Sequence, residues 1–564
     1  MPRVPLAGSA YVERAGIAGA QETINLYAED NSPDSSAPTP FTYYPTPGST
    51  AIAAGIAEKV RCTFRTSIGS AYVVIGPNVY NLTIGNALVL IGNIPDNQSQ
   101  CYMADSGAVA ILVDGTQGWV IDLSTNEFHI IVDPSFYGAD FVVYQDTFFI
   151  FNRPATNQFY ISLSNPSYGM LSGTAIASGT IAGGAGYANA VYQNVALTGG
   201  SGTGATATIT VTGNAVNTVD INNGGKNYII GDVLSANAAD IGGGAGFTYT
   251  VTGVALAFDP LDIAAKSGSA DPIVGILSIH DELWLIGALT TEVWVGTGAA
   301  DFFYQRVQGA YIEHGCIARY SCANTDVIGI WLMQDKAGKN IVVQGSAYTV
   351  DEISTPYLVD RFNNYATTDD AIGFFFQIGS HAFYVLAFPT ANETWLYSLK
   401  VKKWFRWAFY NGDDGSLNRH RANCAMFFNK QNIVGDFENG LLYTLNLEVY
   451  TDNNGPILRR KTFLHMLNNM DRIGYTTFEA DMEVGEQDPT ILTEPMVSLS
   501  WSDNRGVSFG FPVEQQLGRG GEFLTVLQWN RCGMARDRIF KLEWSAPIKT
   551  ALNGGFSTVI PGRS

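Results

Sequence analysis

Charge is scarce in this chain. Of its 564 residues only 15% are Asp, Glu, Lys or Arg, against roughly 25% in an average soluble domain. Surface helices clothe their solvent face in charged side chains, and no long 3.6-residue periodicity runs through the sequence. Cations are scarcer still, with 32 Lys and Arg against 51 Asp and Glu, a net charge of −19. Sequence-independent grip on nucleic acid comes from Lys and Arg displacing counterions from phosphate. That excludes a general phosphate-binding surface, but not a protein that encloses a duplex without holding it. The six cysteines, Cys62, Cys101, Cys316, Cys322, Cys424 and Cys532, contain no CxxC pair, and His129, His280, His314, His381, His420 and His465 no HxH or HxxxH pair. Neither a zinc site nor a small disulfide scaffold is indicated. The expectation is buried reduced thiols, no metal and no cofactor. The opening MPRVPLAGSAYVERAG has no hydrophobic signal segment, and no run approaches the roughly 18 apolar residues of a membrane span. A protein with no membrane-spanning segment, made and assembled in a cytoplasm, is expected.

What the sequence has is glycine and aromatics, 60 Gly and 12% Phe, Trp and Tyr. The stretch Ile276–Gly298 reads as three short strands broken at His280-Asp281-Glu282 and after Gly287, because Val, Ile and Trp suit a pleated half-buried surface while Gly and Asp suit turns. One such meander cannot bury its own faces. Similar units recur at Ala71–Leu82, Val109–Leu123, Asp146–Phe151 leading to Phe159–Ile161, Asp326–Leu332 with Asn340–Val343, His381–Leu386 leading to Thr394–Leu399, and Gln431–Asp436 with Gly440–Leu445. Their spacing, roughly 38 to 53 residues, is close to the roughly 40 to 50 of a four-stranded propeller blade. The fold class is all-β, a β-propeller of about seven blades, six or eight being compatible.

In chain order, residues 1–57 form a Pro-rich extended arm, because proline removes donors and restricts the residue before it. Asn31–Pro40 and Tyr44-Pro-Thr-Pro-Gly48 carry that signal, either as a solvated leader or as an arm on a neighbouring subunit. Blades fill 58–171. Residues 172–256 turn to Gly, Ala, Thr and Asn, and the alternation in Ala205-Thr-Ala-Thr-Ile-Thr-Val-Thr212 gives an inserted β-domain. Blades resume over 257–455, and longer strands over 456–564 make a C-terminal β region, sandwich-like or completing the ring.

Chemistry is hard to find. Gly-Ser-Gly-Thr-Gly at 200–204 is followed by a strand and no lysine, whereas a phosphate cradle needs a helix N-terminus and a lysine. Asp369-Asp370 and Asp413-Asp414 sit in turn-like sequence, and glycoside hydrolysis needs two carboxylates facing each other across a sugar. Trp501-Ser-Asp-Asn-Arg-Gly-Val-Ser-Phe509 is close to the Asp-box of sialidase-type propellers, but with one residue too many between Asp and Gly. Lys400-Val-Lys-Lys-Trp-Phe-Arg-Trp407 interleaves cations with Trp, a pattern that stacks on single strands but more simply reads as a strand with Trp inside and Lys in water. No catalytic residue is assigned, and no enzymatic activity is expected.

Several pieces together resemble the tail-hub or nozzle proteins of short-tailed bacteriophages, the packaged-DNA stabilisation family. They are Asn25-Leu-Tyr27 with Tyr44-Pro-Thr-Pro-Gly48, then Asp281-Glu-Leu-Trp-Leu-Ile-Gly287, Thr291-Glu-Val-Trp294 and Ile312-Glu-His-Gly-Cys316. At the C-terminal end are Leu499–Asp503, Gly506, Gly518–Gly521, Val526–Trp529, Arg531-Cys-Gly-Met-Ala-Arg536 and Phe540–Ser545. The resemblance implies a propeller subunit in a six-fold ring below the portal and its adaptor, retaining packaged double-stranded DNA and docking tail fibres or tailspikes. It implies a virion location and no catalytic residues. The insert departs from it. An acidic subunit suits a duct through which DNA slides. Phe41, Tyr43, Tyr44, Pro45, Pro47, Arg531 and Arg536 are the candidate contacts to a neighbouring subunit or the adaptor. Asp369, Asp370, Asp413 and Asp414 are the candidate lumen-facing acids. The alternative is a propeller that binds or cleaves glycans in receptor recognition.

Overall fold

A computed structural model describes residues 3–5, 21–31, 39–299, 301–335, 337–469, 471–486 and 494–562. Among them helix is confined to Tyr168–Leu171, Pro356–Asn363 and two 3-10 turns. Seven four-stranded antiparallel blades carry the propeller among the described residues, five as separate sheets and the last two as parts of larger ones. Blade one holds Val60–Arg65, Ala71–Ile75, Asn78–Leu82 and Leu88–Asn93; blade two Tyr102–Asp105, Val109–Val113, Gly118–Asp122 and Phe128–Ile130. Blade three holds Val142–Gln145, Phe148–Asn152, Gln158–Ile161 and Ile263–Ala265; blade four Ile273–Ile279, Glu282–Gly287, Thr291–Gly296 and Tyr304–Ile312. Blade five holds Ala323–Asn324, Gly329–Gln334, Asn340–Ser346 and Thr349–Glu352; blade six Ile372–Ile378, His381–Phe388, Glu393–Ser398 and Lys403–Arg406. Blade seven takes Ala422–Phe428, Gln431–Asp436 and Leu441–Asn446, and is completed by Gly48–Ala54 from near the start of the chain.

The turns explain the register. His280 and Asp281 both have positive φ, 52° and 58°, as do Asn429 and Lys430 at 47° and 61°. Two consecutive left-handed residues make a type I′ turn, whose twist matches that of the strands it joins. Asp and Asn tolerate that conformation better than other side chains, and a polar pair interrupts the apolar run at both of these turns.

The chain divides into two compact units, Phe64–Thr83 with Val89–Glu313, and Met1–Thr63 with Ile84–Leu88 and His314–Ser564. In the first, Ile111, Val113, Phe149, Phe151 and Tyr160 form the core of blades two and three, while Ile150, Phe159, Ile161, Ile276, Leu285 and Trp294 join blades three and four. Each such side chain, fully buried, contributes about 1.5–3 kcal/mol. Blade four also holds a buried polar knot. Lys266 Nζ donates to Asp271 Oδ1 at 2.9 Å and to Thr290 O and Oγ1 at 2.8 and 2.9 Å. Glu292, with no exposed surface, accepts from Gly268 N and Trp294 Nε1.

The inserted domain lies between the third and fourth strands of blade three. Its six-stranded sheet runs Ala175–Ala185, Ala245–Ala255, Val233–Ala236, Ala190–Gly199, Thr206–Thr212, Ala215–Asn223. The alternation read from the sequence is visible here, Ala207, Ile209 and Val211 facing a core with Phe247, Tyr249 and Val251. The domain is clamped to blade two. Lys226 Nζ lies 2.6 Å from Asp122 Oδ2 and 2.7 Å from Glu127 Oε2, and stands over the Tyr168 ring.

In the second unit the described residues 21–31 and 39–54, expected to lie in an extended arm over 1–57, pair with strands of their own chain. Thr23–Ile24 pairs with Lys403–Arg406 of blade six and with Arg459–Thr462. Leu26–Asp30 and Phe41–Pro45 form a hairpin in the sheet of Leu552–Pro561, Ile473–Met482 and Leu527–Ala535. Most of the Pro-rich stretch after Asn31 lies outside the described residues. Proline at 45 and 47 did not keep this segment off a sheet, because it ends or follows a strand rather than interrupting one. The C-terminal region is therefore two sheets built jointly from both ends of the chain, around Phe478, Trp529, Phe540, Leu542 and Leu499.

Candidate docking surface

The residues expected to contact a neighbour separate into two groups. Tyr43, Pro45 and Pro47 are buried, and Phe41 and Tyr44 pack partly against the core. Lys403 Nζ stands 3.5 Å from the Phe41 ring centre and Lys461 Nζ 4.3 Å from that of Tyr43. Thr39 and Thr42, on either side of Phe41, donate to Asn553. This hairpin packs on its own chain, which buries Tyr43, Pro45 and Pro47 and leaves Phe41 and Tyr44 half-buried. Burial pushes the Tyr43 phenol far above its usual range and brings Lys461 down to about 7. Arg531 and Arg536, by contrast, are exposed.

The arginines neighbour a surface the sequence reading did not single out. Strand Met496–Ser502 pairs with Asp537–Trp544 on one side and with Val513–Gln516 on the other, and the last ends its sheet. Two loops flank Val513–Gln516. In the first, residues 503–512, Val507 is 85% and Phe511 97% exposed; in the second, residues 517–526, Phe523 is 62%, Leu524 95% and Val526 69% exposed. Val513 between them is 45% exposed.

These loops are held, not loose. Arg538, itself 2% exposed, grips Asp503 with two parallel bonds, Nε to Oδ1 at 2.6 Å and Nη2 to Oδ2 at 2.7 Å. Its guanidinium lies over Tyr475 and Trp501. A bidentate pair fixes orientation as well as distance. Ser502 Oγ accepts from Gly506 N, and Asn504 Oδ1 from Ser508 N. Asp537 receives His465 Nδ1 at 2.7 Å and Arg505 Nε at 3.3 Å. The Asp-box-like turn thus presents its aspartate to an arginine of the same chain. In the second loop Gly485 N donates to Leu517 O and Gly521 N to Gly485 O. The missed signal was legible: Val507, Phe511, Phe523 and Leu524 stand among Gly, Asn and Arg, where apolar side chains have no core to enter.

The acids expected to face a lumen sit in connecting turns. Asp369 is exposed, and Asp370 Oδ2 accepts from Thr390 N at 2.7 Å. Asp413 and Asp414 are exposed in the turn between Ala408–Tyr410 and Leu417–Arg419. Bonds from Ser416 hold Asp414 below the usual carboxylate range. The structure brings neither pair to a common site. The basic patch follows its simple reading: Trp404 and Trp407 are buried, and Lys403 is half-buried against Phe41. A cavity of about 870 Å³ opens between blades six and seven, lined by Phe375, Met426, Phe427, Lys430, Leu447 and Glu448 among others. Among the described residues that line it, Glu448 is the carboxylate and Lys430 the cation.

Comparison with known families bears on blades four to seven. Residues 238–450 match the family model described as bacteriophage P22 Gp10, beta-propeller. The matched span begins in the insert and ends just past the third strand of blade seven. A comparison with curated proteins finds no match. Among solved structures, YCF48 bound to D1 peptide has 9% identity and a TM-score of 0.33, covering 71% of this chain and 96% of that one. The Cps50 (Swd1) beta-propeller domain of Myceliophteria thermophila has 7% identity and a TM-score of 0.31, covering 70% and 99%. The N-terminal domain of Nup159 has 7% identity and a TM-score of 0.32, covering 76% and 99%.

Proposed function

We propose that this chain is a structural protein of a short-tailed phage particle, a tail hub or nozzle subunit. In this reading a ring of copies, six-fold by the resemblance, extends the DNA channel below portal and adaptor, retains packaged DNA and docks tail appendages. The observation that carries it is the family match across four consecutive blades. The net charge of −19 is consistent with enclosing a duplex rather than gripping it. The reading gives the chain no catalytic role.

The test is immunogold electron microscopy of intact particles with antibody against residues 172–256. Labels clustered around the tail, between head and tip, are expected, together with DNA leakage from particles lacking the protein. Labels confined to fibres or spikes, or no particle association, would overturn the assignment and favour glycan recognition.

A further inference from the structure

The cavity of about 870 Å³ between blades six and seven has no part in retaining DNA or docking appendages. Blade seven forms one wall of it. Phe427 pairs with Asn432 and Asn432 with Leu445, and residues directly opposite on antiparallel strands lie on one face of the sheet. A row of ring, amide and leucine therefore crosses three strands. Residues 444–448 carry this wall past Leu445, and Phe375, Gln377 and Ala382 of blade six stand on the other side. Register places these together as well: Gln377 pairs with Ala382, and Phe375, two positions before Gln377, shares its face of the strand. The volume falls within the roughly 300–1,000 Å³ of small-molecule sites.

Three features of the lining say what fits. The first is its amides, since Gln377, Gln431, Asn432 and Asn446 all border the space. A side-chain amide can donate and accept, as a hydroxyl can. Gln431 Oε1 is buried without a hydrogen-bond partner among the described residues, and native structures seldom leave such an acceptor unsatisfied. Asn446 Oδ1 accepts from Glu448 N at 2.9 Å, which leaves its NH2 group to donate outward. The second feature is a half-covered ring. Phe376 is buried, whereas Phe427 is 52% exposed and offers a flat apolar surface. The third is charge balance, with Lys430 the cation and Glu448 the carboxylate along the cavity. An acyl chain would strip water from the amides and return no hydrogen bond, which is unfavourable. A phosphorylated ligand would meet as much negative charge as positive.

We propose that this cavity binds a neutral saccharide, with Phe427 stacked on the C–H face of a sugar ring and Gln431, Asn432 and Asn446 bonded to its hydroxyls. The site goes beyond the tail assignment and does not depend on it.

Calorimetric titration of the full-length chain with a panel of neutral di- to tetrasaccharides tests this, with dodecanoate, a hexose phosphate and an uncharged tripeptide as the contrasting probes. At least one saccharide is expected to bind with one-to-one stoichiometry and more tightly than any contrasting probe. Gln431→Leu is expected to weaken that binding about 10-fold, the worth of a lost hydrogen bond, while the melting temperature does not fall, because leucine leaves no acceptor unpaired. A glutamine with only a structural role would lower the melting temperature instead. Phe427→Ala is expected to cost a further factor of about 10 through the lost stacking. Should either variant melt early, a diazirine-bearing form of the bound saccharide is used on the unchanged chain. Crosslinks into residues 375–382, 426–432 or 444–448 support the site, and crosslinks elsewhere overturn it. A panel that does not bind, a contrasting probe that binds more tightly, or stable variants that bind like wild type also overturn it. Immunogold labels on the tail without saccharide binding remove the site and keep the tail assignment; saccharide binding by a chain absent from the tail does the reverse.

Discussion

Removing Lys266 tests how blade four is held. Its side chain has no exposed surface and that of Asp271 is 4% exposed. Lys266→Met keeps the length of the stem but leaves a buried carboxylate without its cation. Breaking such a pair from one side costs about 3–5 kcal/mol. Asp271 Oδ2 still accepts from Leu289 N and Thr290 N, at 2.8 and 3.1 Å, which places the expected loss near the lower bound, about 3 kcal/mol. For a unit of this size that is roughly a 10 °C fall in Tm. The loss carries a pH signature. Backbone and lysine bonds hold Asp271 at about 2, below its ordinary 3.8. A carboxyl depressed in the folded state contributes stability that is present above its unfolded pKa and lost as pH falls through the folded one. The gap between wild type and variant should therefore narrow between about pH 4 and 2. The double variant Lys266→Met with Asp271→Leu buries no charge and, despite leaving two amides without their acceptor, should recover about 1–2 kcal/mol relative to the single variant. Thermal melts at pH 7 and pH 3 of wild type, Lys266→Met, Asp271→Leu and the double variant check both expectations. Additive losses, with the double variant below both singles, would refute the reasoning.

Lys226→Met should release the insert from blade two while leaving its own sheet intact. Hydrogen exchange at residues 223–233 is expected to rise several-fold with little change in Tm, and unchanged protection would show that the clamp is incidental. Burial brings Lys461 down to about 7 from 10.5, so an unfolded chain binds this proton across a window where the folded chain does not. Stability should rise with pH between about 7 and 10; Lys461→Met should flatten that rise in a series of melts.

What could be read from the sequence, and what could not, follows from the range of the interactions. Blade four was legible because each decision in it is local: Trp284 and Leu285 alternate between faces, and His280-Asp281 turns within two residues. The inserted domain declared itself through composition, and the alternating threonines of Thr206–Thr212 do face away from its core. The N-terminal segment was misread because its partners lie hundreds of residues away. Nothing between Thr23 and Pro45 announces that Ile24 will pair with Arg406 and Arg460, or that Tyr43 will meet Leu552. The contact between Cys316 and Cys322, 3.5 Å between sulfurs, was likewise hidden. It depends on the 3-10 turn Arg319–Ser321, which brings two thiols six positions apart onto one side of a loop.

The same long-range pairing decides what a truncation can reveal. Deleting residues 1–57 would be a natural test of an arm that binds a neighbour, and loss of assembly would be taken as support. In this fold the deletion removes Gly48–Ala54, which pairs along Leu441–Asn446 as the fourth strand of blade seven. It also removes Asn25, whose side chain donates to Ala408 O and Leu458 O and accepts from Ala408 N, tying blade six to the C-terminal region. Glu22 goes as well, leaving Arg460 with Glu543 alone. A blade stripped of its last strand exposes the edge of Leu441–Asn446, with Leu442 and Leu445 uncovered, and such an edge templates aggregation. The truncated chain should therefore aggregate or melt well below wild type, and a peptide of residues 39–57 added in trans should restore part of the lost stability. A truncated chain that stays soluble and melts like wild type would mean that the strand is dispensable. If the prediction holds, closure of the last blade waits on a strand about 390 residues upstream, and late closure of this kind makes such topologies slow to fold.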